Sequence, residues 1–252
     1  MNDIILHKLA EIEQTRNVRI LLAAESGSRA WGFASPDSDY DVRFIYAHPE
    51  DWYFAITEPR DVIELPVNEV LDINGWDVRK SLRLLNKSNP VLLEWMQSPV
   101  LYCADENFLQ RFKDVAEQQF SPIAVAFHYL SMAKNKFSEC RESETVKLKH
   151  YLYSIRSTLA LKWVVQRQTI PPMQLSHLLA ELNDEFLTAR VSELVSLKAE
   201  AAESYRHTHE TGLENWLADT LAYCEQAAPK LPGSKANTEM LNEFFRHTVR
   251  RT

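Results

Sequence analysis

The residues best suited to chemistry lie in one short stretch, Glu25 to Tyr46, ESGSRAWGFASPDSDYDVRFIY. Gly27-Ser28 directly follows an apolar run, Val18 to Ala24. A residue without a Cβ there lets the chain turn tightly and present backbone N–H groups to an anion. Twelve residues beyond Gly27, Asp39 and Asp41 flank Tyr40 in a strand-like pattern. Alternation along a strand puts both carboxylates on one face, with Tyr40 and Val42 on the other. Carboxylates held that close repel unless a cation lies between them. Hard oxygen ligands suit Mg²⁺, with Mn²⁺ able to replace it, and Mg²⁺ commonly uses one or two carboxylates plus substrate phosphates. A phosphate-cradling turn beside paired aspartates therefore points to metal-assisted phosphoryl or nucleotidyl transfer. Arg43 shares the parity of the aspartates and could neutralise phosphate charge, as could Arg29.

Strands must hold these groups. Val18 to Ala24 reads as a buried strand and Asp39 to Tyr46 as a second. Asp61 to Leu65 and Val70 to Ile73 follow, separated by a turn near Pro66 and Asn68. Residues 3–16 have helical spacing, and Asp51 to Ile56 could form a short helix. After Asn74-Gly75 the pattern turns helical, with Val78, Leu82 and Leu85 on one face. A break at Asn89-Pro90 precedes another helix. Strand signals vanish beyond about residue 105. The expected fold is therefore α+β: a small mixed β-sheet core flanked by helices over 1–104, then an all-helical domain over 105–252.

The stretch GSRAWGFASPDSDYDV resembles the signature of the DNA polymerase beta-type nucleotidyltransferase superfamily, Gly-Ser followed by Asp-x-Asp. Trp31 stands where the minimal bacterial members usually carry a second Arg, and Val42 replaces their common Leu. A closer resemblance is to the predicted nucleotidyltransferases that include the RNA-ligase-associated proteins. It is carried by DINGWDVRKSLRLLNKSNPVLLEWMQSP (Asp72 to Pro99), KHYLYSIRSTLALKWVV (Lys149 to Val165) and Pro171-Pro172, and covers most of 20–180. The resemblance implies transfer of a nucleoside monophosphate from an NTP to a hydroxyl, with pyrophosphate released. Asp39 and Asp41 would hold the metal, and Gly27 and Ser28 the phosphates. It also implies a third carboxylate on a neighbouring strand. Asp72 and Glu64 both sit between apolar residues. Asp72 is preferred for its short side chain and its DINGWD setting.

Within Leu148 to Arg167, the residues Leu148, Leu152, Ile155 and Leu159 are expected in the core. A second stripe, Lys149, Tyr153, Arg156 and Trp163, mixes cations with aromatics. It could clasp a triphosphate and stack a base, or form an interface between helices.

Composition bounds the partners. The chain has 252 residues and a formal charge of −7. From Lys134 to Arg167, eight basic residues oppose three acids, so this segment carries +5 and the remainder −12. That asymmetry suits a local anion-binding surface and argues against extended, non-specific nucleic-acid binding. RNA ends, proteins and small molecules are all admissible acceptors. Three separated cysteines, no long apolar run and no signal-peptide pattern at Met1-Asn2-Asp3-Ile4 lead us to expect a cytoplasmic protein without membrane attachment. Arg246, His247, Arg250 and Arg251 read as a frayed basic end. A nucleotide-binding regulatory module without turnover is the alternative to an enzyme.

Overall fold

A computed structural model describes residues 1–66, 70–234 and 237–250; the expected turn residue Asn68 and the terminal Arg251 lie outside these. The chain forms two compact units that interleave along the sequence. One comprises Met1–Gly27, Asp39–Phe120 and the described residues beyond Ser234. The other comprises Ser28–Ser38 and Ser121–Ser234. The division thus differs from a single boundary at 104/105, because the spacer inside the Gly-Ser…Asp-x-Asp motif belongs to the helical unit.

The first unit is built on a five-stranded sheet of order β3-β4-β2-β1-β5. Its strands are β1 (Arg19–Glu25), β2 (Tyr40–Ala47), β3 (Val62–Glu64), β4 (Leu71–Asp77) and β5 (Leu101–Ala104). β2 and β4 run parallel and the other neighbours antiparallel. The helix Asn2–Arg16 turns Ile5, Leu9 and Ile12 to one side and ends at Asn17, whose left-handed conformation (φ 50) suits a C-cap. Those three residues join Val42, Phe44, Tyr46, Leu71 and Ile73 in one buried cluster. Alternate residues of β2, among them Asp41 and Arg43, consequently point to the opposite face.

β4 departs from expectation. Asn74-Gly75 does not end the strand, which continues to Asp77 before the helix Val78–Leu85 begins. Asp77 caps that helix by accepting from the Arg79 N–H. Gly75 lies mid-strand because a Cβ there would overlap the Phe44 ring, which is fully buried. Gly75→Ala is accordingly expected to destabilise the protein by about 1–3 kcal/mol through overpacking, read as a lower urea midpoint. β5 carries no strand signal that sequence reasoning caught, nor does the two-residue pairing of Val146–Lys147 with Arg206–His207.

The second unit is helical. Leu148–Arg167 packs against Pro122–Cys140, Glu185–Glu200 and Thr211–Ala227. Its Leu148, Leu152, Ile155 and Leu159 are buried as expected. Among the described residues, no helix is long and apolar enough to cross a membrane.

Candidate active site

The parallel register of β2 and β4 sets Asp41 directly beside Asp72. Residues opposite one another in paired strands face the same side of the sheet, so the two carboxylates share a face. Arg43 stands between them: its Nη2 donates to Asp41 Oδ1 at 2.8 Å and to Asp72 Oδ2 at 2.7 Å. Asp39, exposed, precedes β2 on the same parity. Burial raises the carboxyl pKa of Asp41. The Arg43 charge pulls it back, and the charges of Asp72 and Asp39 push it up again. Asp41 thus needs a neighbouring cation to remain ionised at little cost. Glu64 lies one strand further out, opposite Asn74. It bonds to Arg60 and to the Asn74 amide.

The expected Gly27-Ser28 turn is the start of a short helix, Gly27–Trp31, and Gly27 lies against this pair. Gly27 has φ +61, and a Cβ there would overlap Asp41 Oδ2 and stand 3.0 Å from Asp41 Cγ. The Ser26 N–H donates to the Asp41 carbonyl at 2.8 Å. The Asp41 N–H donates to Glu25 Oε1 at 2.8 Å, and the Tyr102 hydroxyl bonds to the other Glu25 oxygen. Glu25 is 1% exposed and was not among the expected site residues. Its only sequence signal is an acid closing an apolar strand immediately before the turn.

The remaining candidates lie in the helical unit. Ser28 is buried and its Oγ donates to Ser38 Oγ at 3.2 Å. Arg29 donates from Nη2 to the Ser38 carbonyl at 2.7 Å. Lys149 pairs with Glu203 at 3.3 Å and remains one-third exposed. The Tyr153 ring meets Trp31 and Phe33 edge-on, with centroids 5.0 and 5.8 Å away. Arg156 departs from the expected phosphate contact. It is 1% exposed, its Nε donates to the Met173 carbonyl at 2.9 Å, and its guanidinium lies 4.4 Å from the Trp31 ring centroid. This much of the stripe is an internal interface, the second of the two readings left open above.

Whether a divalent metal fits turns on the donors. Among the described residues, no three His, Cys, Asp or Glu side chains are gathered as a ready cluster. Asp41 and Asp72 nevertheless supply hard oxygen donors of the kind Mg²⁺ takes, with Asp39 on the same parity. The position between them already attracts a cation, here the Arg43 guanidinium. The donor chemistry therefore fits.

A profile of the RlaP family, the RNA repair pathway DNA polymerase beta family, matches residues 1–247. The chain is similar to the uncharacterized protein YcgL of Bacillus subtilis (strain 168), with 39% identity over 251 residues, covering 99% of this chain and 96% of YcgL. Among solved structures it is similar to a nucleotidyltransferase-like protein from Exiguobacterium sibiricum 255-15. That match has 12% identity and a TM-score of 0.31, covering 98% of this chain and 80% of that one.

Proposed function

Because the chain belongs to the RNA repair pathway DNA polymerase beta family, we propose that it is a Mg²⁺-dependent nucleotidyltransferase that moves a nucleoside monophosphate from an NTP to a hydroxyl. The observation that carries this reading is the pairing of Asp41 with Asp72 across parallel strands, beside the Gly27 turn. Asp39, Asp41 and Asp72 would hold the metal, which when bound lowers the pKa of a hydroxyl and offsets charge on a leaving pyrophosphate. The acceptor oxygen forms a bond to the α-phosphorus while the bond from that phosphorus to the bridging oxygen of the β-phosphate breaks. The acceptor proton passes to a carboxylate or to solvent. The Gly27-Ser28 turn meets the β- and γ-phosphates through backbone N–H groups, since the Ser28 hydroxyl is engaged by Ser38. Arg29 and Arg43 offset phosphate charge. The family's description favours an RNA end as acceptor over a protein or a small molecule.

The test supplies each α-labelled NTP with Mg²⁺ to the protein and an RNA bearing a free 3′-hydroxyl. We expect labelled RNA and stoichiometric pyrophosphate, both lost when EDTA is added. No transfer to RNA, protein or metabolite fractions with any of the four NTPs would overturn the reading.

One observation favours a second reading. Arg43 already pairs with both Asp41 and Asp72, as a nucleotide-binding module without turnover would allow. NTP binding that is independent of Mg²⁺ and yields no product would support that alternative.

A further inference from the structure

The helical unit contains an ion pair, with its lysine buried and its glutamate about one-third exposed, that the reaction itself does not call for. Lys198 is 2% exposed, near the end of the helix Glu185–Glu200. Its Nζ lies 2.6 Å from Glu203 Oε2 and 3.2 Å from Ser35 Oγ. The same Glu203 oxygen accepts from Ser35 Oγ at 2.6 Å, and Ser38 Oγ lies 3.4 Å from it. The Glu203 N–H donates to both Asp37 carboxylate oxygens, at 2.9 and 3.1 Å. Ser38 Oγ accepts from the Ser35 N–H at 2.9 Å and from Ser28 Oγ at 3.2 Å.

A hydroxyl has one proton to donate, which orders this network. Ser35 donates to Glu203, so Ser38 donates across the 2.8 Å contact to Ser35, and Ser28 donates to Ser38. Every proton runs toward one carboxylate. Burial pushes the Glu203 carboxyl up, but the bonds from Lys198 and Ser35 and the charges of Lys198 and Lys149 outweigh it and hold the pKa at about 2. The carboxylate therefore stays ionised and the chain keeps its direction. Ion pairs of buried groups often add little net stability, and fixed orientation is one use attested for them.

We propose that Lys198 and Glu203 are positioning residues for nucleotide binding: through Ser35 and Ser38 they hold Ser28, the residue after Gly27, in one orientation before a triphosphate arrives. This rests on the nucleotidyltransferase reading of the Gly27-Ser28 turn. It extends the site to two charges more than 150 residues away in the chain.

The test uses the full chain as wild type, Glu203→Gln, Lys198→Arg and the double variant Lys198→Met/Glu203→Gln. Each is titrated calorimetrically with the four α,β-methylene NTPs in Mg²⁺, with thermal unfolding followed in parallel. We expect Glu203→Gln to weaken the wild type's preferred analogue by about tenfold or more with the unfolding midpoint little changed, the loss of a charge-assisted bond. Lys198→Arg, which keeps the positive charge, should retain most of the wild-type affinity. The double variant leaves no unpaired buried charge, so it carries the test if Glu203→Gln fails to fold, and the same loss is expected from it. Wild-type affinity in the folded variants would overturn the positioning role and leave the nucleotidyltransferase reading standing. A wild type that binds none of the four analogues would overturn that reading and this proposal with it.

Discussion

Asp41→Asn is expected to reduce nucleotidyl transfer by on the order of 10³-fold, equivalent to about 4 kcal/mol of transition-state stabilisation, without lowering the unfolding midpoint. The two halves of this expectation share one cause. Asp41 is partly buried, beside Asp72 and near Asp39, with Arg43 as its counter-charge. Burial and the two acids raise its carboxyl pKa against the pull of Arg43, so the fold favours the protonated form. A carboxyl whose pKa is raised on folding contributes most to stability below its ordinary range, and that contribution is lost as pH rises through the raised value. At neutral pH wild type therefore bears a cost that the neutral amide does not. The midpoint of Asp41→Asn should match or exceed that of wild type, and the gap should widen from acid to neutral pH.

A bound divalent cation removes the same cost. Mg²⁺ should raise the wild-type midpoint, since a ligand that binds only the folded state stabilises it by mass action. The rise should be absent from Asp41→Asn and strongly reduced in Asp72→Asn. A variant that keeps both wild-type turnover and a Mg²⁺-dependent midpoint would remove Asp41 from the site. This measurement needs no knowledge of the acceptor, which makes it the earlier of the two to attempt. It also bears on the turnover-free alternative, because a site satisfied by Arg43 alone would show no response to Mg²⁺.

What could be read from the sequence follows the range of the interactions involved. Asp39, Asp41 and Arg43 share a parity, and alternation along one strand places them without any distant partner. That Asp72 and not Glu64 stands opposite Asp41 depends on how β4 aligns with β2, a non-local register that local sequence does not fix. Asn74-Gly75 resembles a break because Gly is disfavoured within strands, but the requirement for space beside Phe44 overrides propensity there. β5 is four residues long and pairs with Leu22, Ala23 and Ala24 from far along the chain, so its strand character is tertiary in origin. Lys198 carries no sign of its burial, since a lysine in a helix ordinarily faces solvent, and nothing local marks Glu203 as its partner. The spacer is the most instructive case. Ser35-Pro36-Asp37-Ser38 is correctly read as a polar turn, but its serines and Asp37 are directed at Glu203 and Lys198. Turn chemistry alone does not reveal a partner that distant.

Gly27→Ala is expected to cost transfer about 100-fold or more, because two demands meet at that residue. Its φ of +61 is a left-handed conformation that a Cβ disfavours by about 1–2 kcal/mol. The added Cβ would also overlap the Asp41 carboxylate. That carboxylate has little room to yield. Arg43 holds Oδ1, and the strand's own backbone is fixed to Glu25 and Ser26. Relief of the overlap therefore rotates the carboxylate away from Asp72 or opens the turn, and either change dismantles the pairing on which metal and phosphate binding depend. Gly32→Ala separates the two effects. Gly32 has φ +90 but open space where its Cβ would fall, so that variant should lose about 1 kcal/mol of stability with transfer nearly intact. The comparison is decisive in the Mg²⁺ titration as well: the midpoint shift should survive in Gly32→Ala and disappear in Gly27→Ala. Equal behaviour of the two alanine variants would mean that backbone strain, and not the contact with Asp41, explains the glycine before Ser28.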